Sequence, residues 1–186
     1  MGIDLLIKRG TVVDGTGAPA RTADVGVRAG RVVTVGRVTD AATRTIDADG
    51  CVVTPGFIDV HTHYEAQLQW EPTASPSSWH GVTTVLGGNC GFSLAPAKPA
   101  DMPWLAQMLS RVEGMSPAAL STGVRYHGGT FGEFLDTFEG QIGVNLGTYV
   151  PHSPVRRWVM GEDASHRAAT ADEITAMQAI VRGAMR

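Results

Sequence analysis

Two histidines separated by one residue, His61 and His63, follow a largely apolar run at residues 54–60. If this run is an extended strand, side chains two positions apart leave the same face, so both imidazoles point the same way. Two imidazoles placed in this way can bind one metal ion or two adjacent ions. A His-x-His pair by itself also occurs at many surface and capping positions, so the pattern gains weight only from a further ligand.

A third candidate ligand, Cys90, follows the next apolar run. Residues 82–86 are β-branched and uncharged, which is typical of a buried strand, and they lead into Gly-Gly-Asn-Cys-Gly at 87–91. A lone cysteine is most often a small buried hydrophobe. Glycines on both sides of Cys90 instead indicate tight backbone turns that aim its sulfur. Cys51 lies in an apolar run and is predicted to belong to the core.

Composition excludes several classes of protein. The 186 residues carry a formal charge of −3, which is too mild to predict nucleic acid or a membrane surface as a partner. The hydrophobic content of 43% is typical of a globular protein with a buried core. No apolar run is long enough to span a bilayer, and the N-terminus lacks the features of a signal peptide, so a cytoplasmic location is predicted. Two cysteines do not make a disulfide framework.

The elements that must position these side chains change character near residue 53. Residues 1–53 show only short strand patterns, among them separate strands at 5–7 and 11–13 and two runs joined by a predicted hairpin turn at Ala29-Gly30. Residues 54–186 alternate between strand and helix patterns. Strands are predicted at 56–60, 82–86 and 141–150, and helices at 102–112, at 130–138 and after a capping box formed by Thr170 and Glu173. Ile174, Met177 and Val181 are expected to form the buried face of that last helix.

The alternation of strands and helices predicts parallel strands with crossover helices. Ligands at the carboxyl ends of successive strands fit a β/α barrel of the TIM type, whose active sites lie on that face. A complete barrel typically needs about 250 residues, whereas residues 54–186 supply roughly three strand–helix units. The chain is therefore predicted to be the N-terminal portion of a larger enzyme. The alternative is a smaller open α/β sheet that is complete as it stands.

Several segments of the sequence resemble the amidohydrolase superfamily, namely residues 12–17, 23–27 and 55–63, the last of which contains His61 and His63. Residues 79–96, with Asn89-Cys90-Gly91, are similar to the D-aminoacylase branch, the N-acyl-D-amino-acid deacylases. Residues 151–156 and 167–174 are also similar to that branch. The resemblance covers nearly the whole chain, and it implies a small β-sandwich segment beside a zinc-containing β/α barrel.

The resemblance implies that His61, His63 and Cys90 bind one or two zinc ions, with the cysteine at a place where many members of the superfamily use a carboxylated lysine. Thiolate and imidazole are preferred zinc ligands. It also implies further histidines and a general-base aspartate, all expected beyond Arg186, so no catalytic base is assigned within the chain. His152 follows the third strand and is a candidate for lining the substrate site.

The remaining polar residues near the motifs have weaker expectations. His127 and His166 are expected to be exposed in loops. Glu65 stands where relatives often carry Asp, so it and Asp59 are only candidates for orienting a ligand, and neither is assigned a role.

The leading hypothesis is a zinc-dependent hydrolase that cleaves the amide bond of a small N-acyl-D-amino acid. Zinc would activate a bound water and polarise the carbonyl, and an aspartate would transfer the proton. A second hypothesis is a cyclic-amide hydrolase of the hydantoinase or dihydroorotase type, against which Cys90 argues because such a site would use the lysine carboxylate. A third is a catalytically dead, truncated metal-binding remnant. The isolated chain is predicted to be inactive, and the sequence predicts no oligomeric state.

Overall fold

The computed structural model describes residues 2–186, which form two compact units, one ending at Gly56 and one running from Phe57 to Arg186. The class is mixed α/β, as predicted. Among the described residues, every helix is too short or too polar to cross a lipid bilayer.

The first unit is a five-stranded sheet in which β1 pairs with β2 and β4, β2 pairs with β3, and β5 joins the far end of β1. The two separate strands predicted at 5–7 and 11–13 are one strand. A register shift between Ile7 and Gly10, with Arg9 at φ 65°, lets the strand continue across a bulge. The strands are β1 (Ile3–Val12), β2 (Arg21–Arg28), β3 (Arg31–Gly36), β4 (Ala42–Asp47) and β5 (Val52–Val53).

The hairpin predicted at Ala29-Gly30 is confirmed, because β2 and β3 run antiparallel on either side of it. Ala29 and Gly30 have φ values of 49° and 72°, the pair of left-handed conformations that suits the twist of a two-residue hairpin. The prediction of a buried Cys51 is wrong, because this side chain is exposed. The backbone of Cys51 accepts a hydrogen bond from Thr11 at the sheet edge, and it is Ala48, one turn earlier, that is buried.

The second unit contains a three-stranded parallel sheet in the order β6-β7-β8. The predicted third strand at 141–150 is shorter than expected and begins only at Asn145, because residues 141–144 are taken up by a turn in which Gly143 donates to the carbonyl of Pro72. The first strand likewise ends at Asp59 rather than at residue 60. The strands are β6 (Phe57–Asp59), β7 (Val82–Gly87) and β8 (Asn145–Thr148).

Helices occupy the connections between these parallel strands, as a crossover topology requires. The predicted helices at 102–112 and 130–138 are present, the second beginning at a capping box of Thr130 and Glu133. Three further helices, at Tyr64–Gln67, Pro117–Gly123 and His152–Met160, have no counterpart in the sequence prediction. The helices are α1 (Tyr64–Gln67), α2 (Met102–Glu113), α3 (Pro117–Gly123), α4 (Phe131–Asp136), α5 (His152–Met160) and α6 (Ala171–Ala184).

The core of the second unit lies between the sheet and helices α2 and α4. Leu105 and Leu109 of α2 are fully buried, and the ring of Phe134 makes edge-to-face contacts with Tyr126 and Phe138, with centroids 5.1 Å apart in both pairs. Edge-to-face packing adds to the large apolar area that these rings bury. This core supports the carboxyl end of β7, whose Val85 belongs to the same buried cluster.

The last helix, α6, begins at the predicted capping box of Thr170 and Glu173. The expectation that Ile174, Met177 and Val181 form a buried face is wrong for two of them: Ile174 and Val181 are 46% and 40% exposed, and Met177 is half-buried. These side chains border a cavity of about 710 Å³ between α5 and α6 instead of filling it. Helical periodicity identifies the apolar face of a helix, but it carries no information on whether another element covers that face.

Candidate metal centre

The three predicted metal ligands lie together at the carboxyl ends of β6 and β7. The ligand atoms of His61, His63 and Cys90 are all within 4.8 Å of one another. The sulfur of Cys90 is 3.4 Å from Nε2 of His61, and the two imidazole centroids are 5.6 Å apart. His61 and Cys90 are exposed and His63 is half-buried. The structure therefore joins two motifs that are separated by almost thirty residues of sequence.

The segment that carries the two histidines is held by its backbone. Strand β6 ends at Asp59, whose Oδ1 accepts a hydrogen bond of 3.1 Å from the amide of His61. Thr62 is buried, and both its amide and its hydroxyl donate to the carbonyl of Leu86, at 3.0 and 2.9 Å. The imidazoles of His61 and His63 flank the buried Thr62 and lie close to each other, although the extended strand has already ended. Asp59 thus contacts the backbone of His61, not an imidazole.

The turn that carries Cys90 uses left-handed backbone conformations. Gly88, Cys90 and Gly91 have φ values of 74°, 55° and 78°, a region that non-glycine residues seldom adopt. A Cβ on Gly88 would lie 2.3 Å from the carbonyl oxygen of Tyr149, so only glycine fits there. The buried Asn89 donates from Nδ2 to the carbonyls of Thr62, at 3.1 Å, and Leu86, at 2.8 Å. Asn89 therefore ties the cysteine turn to the histidine segment.

Glu65 lies two residues after His63 and is fully buried. Burial in an apolar surrounding raises the pKa of its carboxyl group to about 7. A hydrogen bond from the amide of Gly88 opposes this rise, and the negative charge of Glu113 adds to it. The amide of Gly88 donates to Oε1 of Glu65 at 3.0 Å.

Glu113, the last residue of α2, is the contact that the sequence analysis missed. Its Oε1 lies 3.4 Å from Nδ1 of His63, and the two side chains are only 17% and 18% exposed. This Nδ1 is buried and has no hydrogen-bond partner among the described residues, so a carboxylate beside it is the available acceptor. A carboxylate next to the second ring nitrogen is the usual means of orienting a metal-ligating histidine. No signal in the sequence relates a helix end to a histidine fifty residues earlier.

The other histidines do not join the three candidate ligands. His152, the first residue of α5, is exposed and lies beside the cysteine turn, where a Cβ added to Gly91 would be 3.5 Å from the Cβ of His152. His127 and His166 are exposed outside the regular helices and strands, as expected.

The donor set fits a zinc ion. Bonds of about 2.0 Å to nitrogen and 2.3 Å to sulfur in a tetrahedral site separate the ligand atoms by about 3.5 Å. The 3.4 Å between Cys90 and His61 matches this spacing. The upper limit of 4.8 Å for the whole set is wider than this spacing. Two nitrogens and a thiolate also match the preference of zinc for imidazole and sulfur.

Comparisons of the sequence and of the structure with known proteins point to the same family. Residues 44–186 match the model of the amidohydrolase family. The D-aminoacylase of Alcaligenes xylosoxydans xylosoxydans is 41% identical over 184 residues, which is 98% of this chain and 35% of that enzyme.

Two solved structures are similar over almost the whole chain. A D-aminoacylase with a binuclear metal centre has a TM-score of 0.78 at 40% identity and is matched over 98% of this chain and 36% of its own. An N-acyl-D-glutamate deacylase from Bordetella bronchiseptica, in complex with zinc and a phosphonate inhibitor, has a TM-score of 0.79 at 33% identity, covering 99% of this chain and 36% of its own.

The mixed α/β fold and the family match identify the class: this chain belongs to the amidohydrolase family. It spans about a third of the length of the curated relatives that it matches.

Proposed function

We propose that this chain supplies zinc ligands to an amidohydrolase that cleaves the amide bond of small N-acyl-D-amino acids. The observation that carries the proposal is the convergence of His61, His63 and Cys90 within 4.8 Å at the ends of two neighbouring parallel strands. The similarity of the chain to D-aminoacylase and to a zinc-containing deacylase supports both the metal and the substrate class.

Each residue of the proposed site has a separate task. The imidazoles of His61 and His63 and the thiolate of Cys90 would hold one or two zinc ions. When bound, zinc supplies Lewis-acid activation of the amide carbonyl and of the attacking water. Glu113 would fix the ring orientation of His63 through Nδ1. We assign the general base to none of residues 2–186.

We also propose that residues 54–186 form the first part of a β/α barrel and that residues 1–53 form part of a small β-sandwich. The parallel order β6-β7-β8, with helices in each connection and candidate ligands at the carboxyl ends, supports the barrel. The two compact units, which divide after Gly56, support a boundary near residue 53.

The primary test of the metal site is zinc content. Wild-type protein, Cys90→Ala and His61→Ala are dialysed against zinc and measured by elemental analysis, with Cys51→Ala as the matched control because that cysteine is exposed and lies in the other unit. We expect wild type and Cys51→Ala to retain zinc and the other two variants to lose most of it. Unchanged zinc in Cys90→Ala would refute the assignment.

The substrate class is tested with a chimera in which this chain replaces the aligned segment of the Alcaligenes D-aminoacylase, since we propose that the 186-residue chain alone is inactive. The chimera should hydrolyse N-acyl-D-amino acids in preference to their L-enantiomers and to hydantoin, and Cys90→Ala should abolish that activity. A chimera that is folded and loaded with zinc but prefers hydantoin would favour the cyclic-amide reaction instead.

A further inference from the structure

A buried carboxyl group joins the two segments that carry the candidate ligands. Glu65 is in the first turn of α1, two residues after His63, and its side chain is wholly inaccessible to solvent. Its Oε1 accepts a hydrogen bond of 3.0 Å from the amide of Gly88, two residues before Cys90. The bond thus connects a point next to the histidine pair with a point next to the cysteine.

The carboxyl group fits its place tightly and makes one well-formed hydrogen bond to another residue, the bond from Gly88. A Cβ added to Gly87 would lie 2.9 Å from Oε2 of Glu65, so the carboxyl group occupies the space that a side chain at 87 would need. Oε2 of Glu65 and the hydroxyl of Ser93 are both buried and lie near each other, but they do not meet the geometry of a hydrogen bond. Burying a carboxyl group with an unpaired oxygen costs free energy, and an apolar residue of similar size would avoid that cost.

The position of Cys90 depends on this connection because its turn has few other restraints. Three residues of the turn have left-handed backbones, and Cys90 itself is exposed, so packing does not hold it. Two restraints precede it, the bond from Gly88 to Glu65 and the side-chain bonds of Asn89. A backbone bond from the amide of Phe92 to the carbonyl of Asn89 closes the turn after it. Asn89 fixes the residue just before the cysteine, whereas Glu65 fixes the start of the turn.

We infer that Glu65 is a positioning residue for the metal site: its carboxyl group holds the Gly88 amide and so presents the Cys90 sulfur to His61. The inference rests on the proposed function, since it concerns the same three ligands. Glu65 orients the turn without itself being a ligand.

The test uses three variants, one glycine control and three measurements. Glu65→Leu keeps the bulk and removes the acceptor, Glu65→Gln keeps an acceptor for Gly88, and Gly87→Ala displaces the carboxyl group without altering any polar group. Gly132→Ala is the matched glycine control, since a Cβ there would meet nothing within 4 Å. Zinc affinity is measured by competition with a chelator, and Gly88 amide hydrogen exchange is measured by NMR in the metal-free protein.

We expect Glu65→Leu and Gly87→Ala to weaken zinc binding by about 10- to 100-fold and to speed exchange of the Gly88 amide, as for residues that orient metal ligands elsewhere. In the cobalt-substituted protein the thiolate-to-cobalt charge-transfer band should shift or fade in these two variants. Glu65→Gln should keep all three readouts close to those of the wild type, and Gly132→Ala should change none of them.

Two results would overturn the inference, and they differ from a failure of the proposed function. Zinc affinity and a cobalt band unchanged in Gly87→Ala, despite faster Gly88 exchange, would make Glu65 a purely structural residue; this variant decides the matter if Glu65→Leu does not fold. If exchange of the Gly88 amide were unchanged in both Glu65→Leu and Gly87→Ala, the hydrogen bond to Glu65 would not be a restraint on the turn. Wild-type protein that binds no zinc would instead refute the metal site, whatever the variants do.

Discussion

The two strand ends that meet at the candidate metal centre are built very differently. Strand β6 has three residues at the edge of its sheet, and its Phe57 and Ile58 are 57% and 61% exposed. Strand β7 has six residues between two neighbours, and its Val85 is fully buried. The short, exposed strand β6 nevertheless leads to two of the three candidate ligands, His61 and His63.

The comparison shows how a weakly paired strand can present ligands at a defined position. Thr62, between the two histidines, donates twice to the carbonyl of Leu86 at the end of β7, and Asn89 returns a bond to the carbonyl of Thr62. The end of β7 therefore fixes the position of the histidine segment, because buried hydrogen bonds hold that segment to it. Such bonds are costly to lose because they leave unpaired groups away from water.

The largest expected effect comes from removing Cys90, the candidate ligand that follows strand β7. Cys90→Ala should weaken zinc binding by more than about 100-fold, beyond the 10- to 100-fold typical of residues that only orient a ligand. His61→Ala on the other side should give a loss of the same order, since both atoms belong to one site. Isothermal titration with zinc measures both. A loss confined to Cys90→Ala would mean that the histidine segment is not part of the site.

The next largest effect concerns Glu113, which lies beside His63 in the segment that follows the weakly paired strand β6. Glu113→Ala should reduce zinc affinity by about 10- to 100-fold because His63 loses the carboxylate beside Nδ1 and its ring is no longer oriented. Glu113→Gln should recover part of the affinity, since its amide oxygen can still accept a hydrogen bond from the Nδ1–H of His63. The control is Glu139→Ala, an exposed glutamate whose side chain makes no described contact with the site. Equal zinc affinities in Glu113→Ala and Glu139→Ala would mean that Glu113 does not orient His63 for metal binding.

A third prediction compares the strands themselves. Val85→Ala should lower the free energy of unfolding by about 2 kcal/mol, because it removes two buried methyl groups and leaves a small cavity. Ile58→Ala should change it by no more than about 0.5 kcal/mol, as for other exposed positions. Urea unfolding of the metal-free protein followed by circular dichroism gives both values. A large effect at Ile58 would show that β6 is covered in the protein in solution.

Much of the candidate site could be predicted from the sequence because its signals are local. The spacing of His61 and His63 predicted that they lie together, and they do, although the strand ends at Asp59 and the buried Thr62 anchors the segment between them. The glycines around Cys90 indicated a turn that aims its sulfur. The mixed α/β class, the main helices and the capping box at Thr170 followed from periodicity and from side-chain chemistry.

What the sequence did not reveal depends on contacts between distant residues. The approach of Glu113 to His63 and the bond between Glu65 and Gly88 are set by how α1, α2 and β7 pack, and no local pattern encodes them. Burial was misjudged for the same reason. Cys51 and the apolar stripe of α6 are apolar by sequence and exposed in the structure, because periodicity predicts a face and not the element that covers it.

The smallest expected effect separates the backbone of Cys90 from its sulfur. Cys90 has φ 55°, where a side chain costs about 1–2 kcal/mol. Cys90→Gly relieves this cost but gains freedom in the unfolded chain worth about 0.4–1 kcal/mol. Metal-free Cys90→Gly should therefore be more stable than metal-free Cys90→Ala by about 0.5–1 kcal/mol, while both variants lose zinc equally. Urea unfolding of the pair measures the difference. If Cys90→Gly were the less stable variant, the left-handed backbone at Cys90 would not be strained. Metal binding would then have no backbone strain to offset.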